Sequence, residues 1–448
     1  MEIDSSMMIS ISGVRGIVGK GINPESAQRF TAAYALGLDG GRVVVGRDSR
    51  DSGPAILSAV ISALTFLGFD VVDLGVVSTP TVEIMVRELD ASGGIIITAS
   101  HNGPEWNALK LLDSQGEFIE TGQVDRIKSL VAGGENLFRK VGTFGASEKN
   151  SSADRIHVEK ILALDQIDPE RISSRGFRAV VDCVNGAGSR IVPLLLSGLG
   201  VDVVELFTDI TAGFPHVPEP RPENLGDISA EVISRGADIG FACDPDADRL
   251  VLVDENGTVC SEELTLSLAA DFILGKSRGA VVSNLSTTRL IDDIASMHGA
   301  SHYRSRVGEA NVIARMKQVN AVIGGEGNGG VIYPAVHYGR DAMVAIALIL
   351  QKLSESGKSL SETVRELPQY HIIKEKFSFR GDFEELARRA EELFEGDIDR
   401  SDGIRIDMDT GWMHLRMSNT EPVLRVIAEA GSERETVDLI REAGKLTG

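Results

Sequence analysis

Three short apolar runs, separated by two amphipathic ones, fill residues 42–98, RVVVGRDSRDSGPAILSAVISALTFLGFDVVDLGVVSTPTVEIMVRELDASGGIIIT. The apolar runs Arg42–Gly46, Val71–Gly75 and Gly94–Thr98 are rich in valine and isoleucine and have the length of buried strands. The segments between them, Pro54–Leu67 and Pro80–Leu89, have the spacing of helices. This β-α-β-α-β order predicts a mainly parallel sheet covered by helices.

The same alternation returns twice further along the chain. A second set of strand-like and helix-like segments covers residues 178–244, and a third covers residues 279–327. The last part differs, because two charged helices, Glu384–Phe394 and Glu433–Lys445, surround strand-like pieces. We therefore predict three similar α/β domains with mixed, mainly parallel sheets and a smaller C-terminal α+β domain. The boundaries that we expect are those of residues 1–150, 151–255, 256–368 and 369–448.

Composition excludes several classes of function. The 448 residues include 45 Lys+Arg and 66 Asp+Glu, so the net charge is −21. Such a surface repels nucleic acid and anionic membranes, and neither is expected as a partner. The longest apolar segments, such as Ala342–Leu350, are well short of the roughly 20 residues that span a bilayer. The odd count of three cysteines, with no close pair, and the lack of a signal-peptide pattern predict a cytoplasmic protein.

The stretch TASHNGPEWNALK, Thr98–Lys110, brings reactive groups to the end of a predicted strand. Ser100 lies where ligands bind in a parallel α/β sheet, at the carboxyl end of a strand. His101 and Asn102 are polar neighbours, and Lys110 could return to the same place on the next strand. The alternative is a polar turn with an exposed histidine. A serine nucleophile needs activation by a base or a metal, and the Gly-x-Ser-x-Gly pattern of hydrolases is absent here.

A second motif, CDPDADRLVLVDENG, follows another apolar run. In an extended chain Asp244, Asp246 and Asp248 share one face but are spaced about 6.5 Å apart, so only a curled loop brings all three to one ion. Oxygen-only ligands indicate Mg²⁺ or Ca²⁺ rather than zinc. A calcium-binding helix-loop-helix fails, because Arg249 occupies the position of its essential glycine and Leu250–Asp254 is strand-like. An acidic surface turn remains the alternative.

Two later motifs have the character of binding loops. In GGEGNGG, Gly324–Gly330, Glu326 and Asn328 alternate with glycines, which suits recognition of neighbouring sugar hydroxyls, although a flexible turn is the simpler alternative.

The segment RMSNTEPVLRV, residues 416–426, offers hydroxyl, amide and backbone N–H groups between two arginines, which suits a phosphate. The alternative here is a helix cap, with Thr420 as the capping residue and Pro422 near the helix start. Three further arginines, Arg15, Arg47 and Arg50, lie on early loops and could balance a polyanionic site.

With these motifs in this order, the sequence resembles the α-D-phosphohexomutase superfamily, which includes phosphoglucomutase, phosphomannomutase and phosphoglucosamine mutase. The resemblance runs from SGVRG at Ser12–Gly16 to RMSNTEPVLRV, nearly the whole chain. It implies four domains around one central cleft, a phosphosugar substrate, a hexose bisphosphate intermediate and Mg²⁺ as the cofactor. Whether the protein is a monomer or a homodimer stays open.

The resemblance also implies roles for individual residues. Ser100 would carry the phosphoryl group and, with Asp244, Asp246 and Asp248, hold Mg²⁺. The groups expected around the transferred phosphoryl group are Arg15, His101, Lys110 and Arg249. Those expected to bind the sugar or the second phosphate are Glu326, Asn328, His337, Arg416, Ser418, Asn419, Thr420 and Arg425. Either Lys110 or His101 would be the general acid or base.

The chain departs from the family pattern at Gly103, where relatives usually have proline, and in the sugar loop. GGEGNGG followed by HYGRDA resembles archaeal phosphoglucosamine mutases and phosphomannomutases. We therefore expect a phosphohexomutase, with glucosamine phosphate slightly favoured and phosphomannomutase/phosphoglucomutase as the alternative. A metal-dependent sugar phosphatase is a rival enzyme class. A sugar-phosphate-binding regulatory protein without catalysis is disfavoured, because the reactive residues are all present.

Overall fold

The computed structural model of the chain describes residues 7–134, 136–138, 142–418 and 423–447. Its strands form four sheets in chain order, three with interspersed helices and a last one that is wholly antiparallel. The predicted architecture of three α/β domains and a C-terminal α+β domain is confirmed. No helix among these residues is both long and apolar enough to cross a membrane.

The first sheet has seven strands in the order β1-β2-β6-β5-β3-β4-β7. The strand β5 is parallel to β3 and antiparallel to β6, so the sheet is mixed. Its strands are β1 (Met8–Ser10), β2 (Gly13–Ile17), β3 (Arg42–Arg47), β4 (Asp70–Val76), β5 (Gly93–Ile97), β6 (Trp106–Leu112) and β7 (Ser147–Lys149). Its helices are α1 (Pro24–Ala35), α2 (Gly53–Phe66), α3 (Thr79–Glu88) and α4 (Thr121–Ala132).

The central strand β5 shows why this region is apolar without alternation. Ile95 and Ile97 of β5 pack into the cluster formed with α1 and α2, whereas Ile96 packs with α3 on the opposite face. All three side chains are fully buried. Burial of each contributes about 1.5–3 kcal/mol. Helices on both faces therefore require the continuous valine and isoleucine runs seen in the sequence.

The second sheet has the order β11-β10-β8-β9, and its last two strands in the chain form an antiparallel hairpin. The strands are β8 (Arg178–Asp182), β9 (Asp202–Leu206), β10 (Ile239–Cys243) and β11 (Leu250–Asp254). The helices are α5 (Ala153–Leu162), α6 (Pro169–Ser174), α7 (Gly188–Gly198) and α8 (Gly226–Arg235), with a short 3₁₀ helix at Pro222–Asn224. The acidic motif thus lies in the connection between β10 and β11.

In the third region β12 is paired in parallel with both β13 and β14. The next strand along the chain is β15. The strands are β12 (Val281–Asn284), β13 (His302–Ser305), β14 (Ile323–Glu326) and β15 (Gly330–Ile332). The helices are α9 (Glu263–Lys276), α10 (Leu290–Met297), α11 (Glu309–Val319), α12 (Ala342–Ser356) and α13 (Leu360–Arg365).

The C-terminal sheet has the order β16-β20-β19-β18-β17 with the two predicted charged helices beside it. The elements are β16 (His371–Ser378), α14 (Phe383–Leu393), β17 (Asp397–Asp399), β18 (Ile404–Asp407), β19 (Gly411–Met417), β20 (Val423–Ala430) and α15 (Glu433–Lys445). The possibility of a helix after Pro422 is wrong, because Val423–Ala430 pairs with β16 and β19 as a strand. Its alternating apolar residues face the sheet's own core.

The chain packs into two compact units. One contains the residues up to Thr265 together with Gly329–Ser361, and the other contains Leu266–Asn328 together with the residues from Glu362 onward. The clusters of polar side chains described below each lie within a single unit.

Candidate active site

Ser100 lies three residues after the end of β5 and is almost fully buried, with 3% of its surface exposed. Its φ of +50° is in the left-handed region, which a serine adopts only where surrounding contacts hold it. The N–H group donates to Thr98 Oγ1 at 2.9 Å, and Oγ donates to Asp244 Oδ2 at 2.8 Å. His101 Nδ1 lies 3.3 Å from the same hydroxyl oxygen. The structure therefore brings together the predicted serine, histidine and first aspartate.

The acidic loop curls so that its three carboxylates converge. The loop turns at Ala247, whose φ is +52° and whose N–H donates to Asp244 O at 3.0 Å. One oxygen from each of Asp244, Asp246 and Asp248 lies within 4.8 Å of the others, and all three residues are fully buried. The turn brings together side chains that an extended strand would hold apart.

Four basic side chains surround the carboxylates. Lys110, on β6, places Nζ 2.6 Å from Asp246 Oδ2 and 3.6 Å from Asp248 Oδ2. Arg340 Nη2 lies 2.6 Å from Asp248 Oδ2, and Arg249 Nε lies 3.7 Å from Asp248 Oδ1. The fourth, Arg15, donates from Nη1 to the Oδ1 atom of Asn102 at 2.6 Å, directly beside the Ser100 loop.

These contacts fix the charge states. Burial and the neighbouring Asp248 and Asp246 raise the pKa of Asp244 well above its usual value. Burial acts to raise the pKa of Asp246 as well, but the Lys110 ammonium outweighs it and lowers that pKa. Burial opposes the charge on Lys110, yet the two carboxylates raise its pKa. The pKa of His101 is well below its usual value because of Arg249 and burial, so its imidazole is neutral.

The acidic loop has the donor set of a divalent-cation site. Asp246 Oδ1 and Asp248 Oδ1 are buried and accept no hydrogen bond from any described residue. An uncompensated buried carboxylate oxygen costs several kcal/mol, and a bound cation removes that cost. The donors are all oxygens, which suit a hard cation such as Mg²⁺. The residues present therefore fit the predicted metal.

Two contributors to this site were absent from our sequence prediction. Thr79 begins α3, and its Oγ1 donates to Asp246 Oδ2 at 2.6 Å while its N–H donates to Asp246 O at 2.9 Å. Arg340 belongs to the HYGRDA segment, of which only His337 was predicted to lie in a site. The presence of a basic residue within that segment was the available signal for Arg340, whereas Thr79 had none beyond its place at a helix start.

His337, which we predict to bind sugar or phosphate, lies among buried carboxylates. The imidazole is 97% buried, with Nε2 3.1 Å from Asp341 Oδ2 and Nδ1 3.4 Å from Glu83 Oε2. Burial opposes its charge, but these carboxylates raise the pKa of His337 to about 9. Asp341 Oδ2 also contacts His157 Nε2 at 2.8 Å. Both nitrogens of His337 face carboxylates inside the fold, and its binding of sugar or phosphate stays a prediction.

A second polar cluster forms a pocket of about 150 Å³ in the other unit. It contains Glu326, Asn328, Arg416 and Arg425, as predicted, and four residues that the sequence analysis did not name. The additional polar residues are Asn284, Ser286, Lys374 and His414. Of the remaining predicted binding residues, Asn419 and Thr420 lie outside the described part of the chain. Ser418 donates its N–H to Val423 O at 2.9 Å at the base of the β19–β20 hairpin.

Hydrogen bonds fix the acidic side of this pocket. Glu326 Oε1 accepts from Asn284 Nδ2 at 2.8 Å and from the Gly308 N–H at 3.0 Å. Asn328 Nδ2 lies 3.4 Å from Glu326 Oε2. Lys374 Nζ donates to Gly327 O at 2.8 Å, so a lysine of the C-terminal sheet holds the glycine-rich loop.

The opposite side of the pocket is basic. Arg416 and Arg425 are direct cross-strand neighbours on β19 and β20, an arrangement in which like charges repel. Asp402 Oδ1 accepts from Arg416 Nε at 2.9 Å, while Arg425 is exposed. An anionic group between the two guanidinium groups would relieve their repulsion.

His414 is a buried histidine of the second unit. Its Nε2 lies 2.6 Å from Asp402 O, and its Nδ1 lies 2.9 Å from Ser286 Oγ. Burial, with Arg405 and Arg416 nearby, lowers the pKa of His414 to about 4. A carbonyl oxygen only accepts, so Nε2 carries the hydrogen and Nδ1 accepts the hydroxyl proton of Ser286.

This low pKa predicts a pH-dependent stability. Because the unfolded histidine titrates near 6.5, protons bind the unfolded state preferentially between about pH 6.5 and 4, and stability falls by up to roughly 1.4 kcal/mol per pH unit there. We expect chemical denaturation at pH 7 and pH 5 to show a larger loss for the wild type than for His414→Gln. Equal losses in the two proteins would contradict the buried neutral imidazole.

Taken together, a hydroxyl beside three carboxylates and several cations defines a site for an anionic group and a metal ion, of the kind that phosphoryl-transfer enzymes use. Models of the phosphoglucomutase/phosphomannomutase family match the chain in four consecutive parts. Its alpha/beta/alpha domains I, II and III match residues 7–137, 155–257 and 262–371, and its C-terminal domain matches residues 373–443. The chain belongs to the phosphoglucomutase/phosphomannomutase family. It is therefore a phosphohexomutase, an isomerase that moves a phosphoryl group within a hexose phosphate.

Individual relatives cover the whole chain. A Methanopyrus kandleri protein named "Probable phosphoglucosamine mutase" is 37% identical over 96% of this chain and 97% of its own. The "Phosphoglucomutase/phosphomannomutase" of Thermococcus kodakarensis is 38% identical over 97% of both chains. A crystal structure of a phosphoglucomutase/phosphomannomutase family protein from Burkholderia thailandensis matches with a TM-score of 0.86 at 29% identity, covering 98% of each chain.

Proposed function

We propose that Ser100 is the phosphoryl carrier of this mutase and that the enzyme acts on glucosamine phosphate. The observation that carries the first part is the contact between Ser100 Oγ and Asp244 Oδ2 at 2.8 Å, which puts a buried hydroxyl against the acidic cluster. Exchange between the 6- and 1-positions then needs two transfers, from phosphoserine to the sugar and from the bisphosphate back to Ser100. Phosphomannomutase/phosphoglucomutase activity is the alternative.

The residues around Ser100 supply positioning and charge, which are the main requirements of phosphoryl transfer. Lys110 and Arg340 are oriented by Asp246 and Asp248, and Arg15 by Asn102, so their donors are fixed before the substrate binds. Asp244, Asp246 and Asp248 would hold Mg²⁺, which when bound offsets negative charge on the transferred phosphoryl group.

Proton movement is assigned by charge state. His101 Nδ1 lies 3.3 Å from Ser100 Oγ, a position from which it can exchange a proton with the transferring oxygen. Lys110 is an ammonium group held by Asp246, so it acts through its charge. We therefore favour His101 over Lys110 as the general acid or base.

The pocket in the other unit supports an amino sugar. Ser286 Oγ donates a hydrogen bond to His414 Nδ1 and so presents only lone pairs to a ligand, and Glu326 adds a carboxylate to the same pocket. A 2-ammonium group supplies several donors and a positive charge, whereas a 2-hydroxyl supplies one donor. Arg416 and Arg425 would bind the phosphate that is not being transferred. The three cysteines are buried thiols, which supports the cytoplasmic location expected from the sequence.

Substrate preference is tested by comparing kcat/KM for glucosamine-6-phosphate, mannose-1-phosphate and glucose-1-phosphate, each with a trace of its 1,6-bisphosphate. We expect the amino sugar to give the highest value. Highest values for either neutral sugar would replace the proposed substrate with the alternative.

The role of Ser286 is tested in the same assay. We expect Ser286→Ala to lower kcat/KM for glucosamine-6-phosphate about 10-fold, equivalent to one lost hydrogen bond, and to affect the neutral sugars less. Ser305→Ala is a matched control, because that hydroxyl lies at the end of β13 and donates to Arg306 O. Equal losses on all three sugars would remove Ser286 from the specificity argument.

A further inference from the structure

One buried guanidinium group holds the loop that contains Ser100. Arg50 Nη1 donates to Gly103 O at 2.6 Å and to Trp106 O at 3.3 Å. Its Nη2 donates to Asn102 O at 2.8 Å and to Ser100 O at shorter range. The Arg50 side chain is fully buried. Three carbonyl oxygens of the loop, and that of Trp106 at the start of β6, therefore converge on a single side chain.

The fifth donor anchors Arg50 to the strand next to Ser100. Nε donates to Asp48 Oδ2 at 2.8 Å, and the Arg50 N–H donates to Asp48 Oδ1 at 3.0 Å. Thr98 Oγ1 donates to Asp48 Oδ2 at 2.6 Å and accepts the Ser100 N–H at 2.9 Å. A closed set of hydrogen bonds thus links Asp48, Arg50 and Thr98 to both sides of the Ser100 peptide.

This arrangement excludes Arg50 from binding an anion. A guanidinium group has five N–H donors, and here each has an acceptor within the first unit. We had expected the early arginines to balance a polyanionic site. For Arg50 the geometry indicates a different task, because none of its donors is left for a substrate.

The loop needs such a restraint. Ser100 has a φ of +50°, a conformation that is strained in a residue other than glycine. Gly103, in the same loop, adds backbone freedom. Without fixed carbonyls the loop would relax toward ordinary dihedrals, and Ser100 Oγ would leave its position 2.8 Å from Asp244 Oδ2.

We infer that Arg50 is a positioning residue for phosphoryl transfer, which holds Ser100 in its left-handed conformation so that the hydroxyl faces the acidic loop. The inference rests on the proposed role of Ser100 as phosphoryl carrier. It assigns Arg50 an effect on the chemical step and none on sugar binding.

The decisive variant is Arg50→Lys, which keeps a positive charge near Asp48 but replaces five fixed donors with three. We expect kcat to fall about 100-fold, as for a displacement of about 1 Å, while KM for the preferred sugar phosphate stays within roughly 3-fold. Arg29→Lys is the matched control, because Arg29 donates from Nη2 to the main-chain Val131 O in the same domain, and it should keep wild-type kcat.

A second variant covers the case in which Arg50→Lys folds poorly. In Arg50→Ala, added guanidinium ion should restore part of kcat at concentrations below those that denature the protein, whereas methylammonium should not. Wild-type kcat in Arg50→Lys, a rise in KM alone, or equal effects of both cations on Arg50→Ala would overturn the inference. If Ser100→Ala stayed active the proposed function itself would fail, whereas an inactive Ser100→Ala with a fully active Arg50→Lys would sink only the inference about Arg50.

Discussion

Ser100→Ala is expected to abolish isomerisation while the protein stays folded. The alanine has no oxygen to receive or give a phosphoryl group. No other hydroxyl among the described residues donates a hydrogen bond to Asp244. We expect kcat to fall by at least about 10³-fold, which is the scale seen when a covalent nucleophile is removed.

Stability should change little in this variant. The substitution removes one buried hydrogen bond to Asp244, worth about 1 kcal/mol, and changes no charged side chain. Circular dichroism and thermal unfolding would check the fold, and Ser58→Ala on the exposed face of α2 is the control for a serine whose hydroxyl bonds only to a helix carbonyl. Turnover near the wild-type rate in folded Ser100→Ala would refute the assignment.

Asp244→Asn should raise the stability of the metal-free protein and lower its activity. In the metal-free protein the ionised Asp244 is unfavourable, since burial and the nearby Asp248 and Asp246 raise its pKa. A group whose folded pKa is raised destabilises the fold once the pH exceeds its unfolded value near 4, so at pH 7 removal of the charge should raise the Tm of the chelated protein. The same change removes a ligand oxyanion, and we expect kcat to fall at least about 10³-fold.

Metal titration completes this test. In the wild type, Mg²⁺ added after chelation should restore activity and raise Tm, because a ligand that binds only the folded state stabilises it. In Asp244→Asn both responses should shrink, whereas Asp271→Asn, an acidic residue of α9 that faces His298, should respond like the wild type. Full Mg²⁺-dependent activity in Asp244→Asn would show that the acidic loop is not the metal site.

Much of the fold was predictable because its signals are local. The buried strands β3 and β5 are continuous apolar runs, which are typical of a sheet covered by helices on both faces. The helices α14 and α15 are recognisable by their charged, amphipathic pattern. Ser100 and the aspartates were visible for the same reason, since reactive groups directly follow strands at the edge where ligands bind.

Other parts of the site depend on contacts between segments far apart in the chain. Thr79 meets Asp246 across 167 positions and Arg340 meets Asp248 across 92, and no local pattern announces either pair. The sequence gives the charge of Arg50 but not its partners, so an arginine that holds a loop looked like one that binds an anion. Likewise the buried carboxylates beside His337 come from distant segments, α3 and the start of α12.

The pocket of the second unit shows the same limit. Glu326 and Asn328 are recognisable in the sequence because they alternate with glycines. The acceptor character of Ser286, however, depends on the tautomer of His414, which is set by the carbonyl of Asp402. Such a hydrogen-bond chain exists only in the folded domain. The hydrogen-bonding character of this pocket is therefore a property of tertiary structure.

In the proposed mechanism Ser100 passes its phosphoryl group directly to the sugar. A single-turnover experiment tests this transfer with enzyme that has been labelled with ³²P, after peptide mapping has located the label on Ser100. Mixing with unlabelled hexose phosphate should move the label into hexose bisphosphate and then hexose monophosphate at a rate no slower than kcat. Label on another residue, or release as inorganic phosphate in step with sugar consumption, would contradict the account and favour a sugar phosphatase.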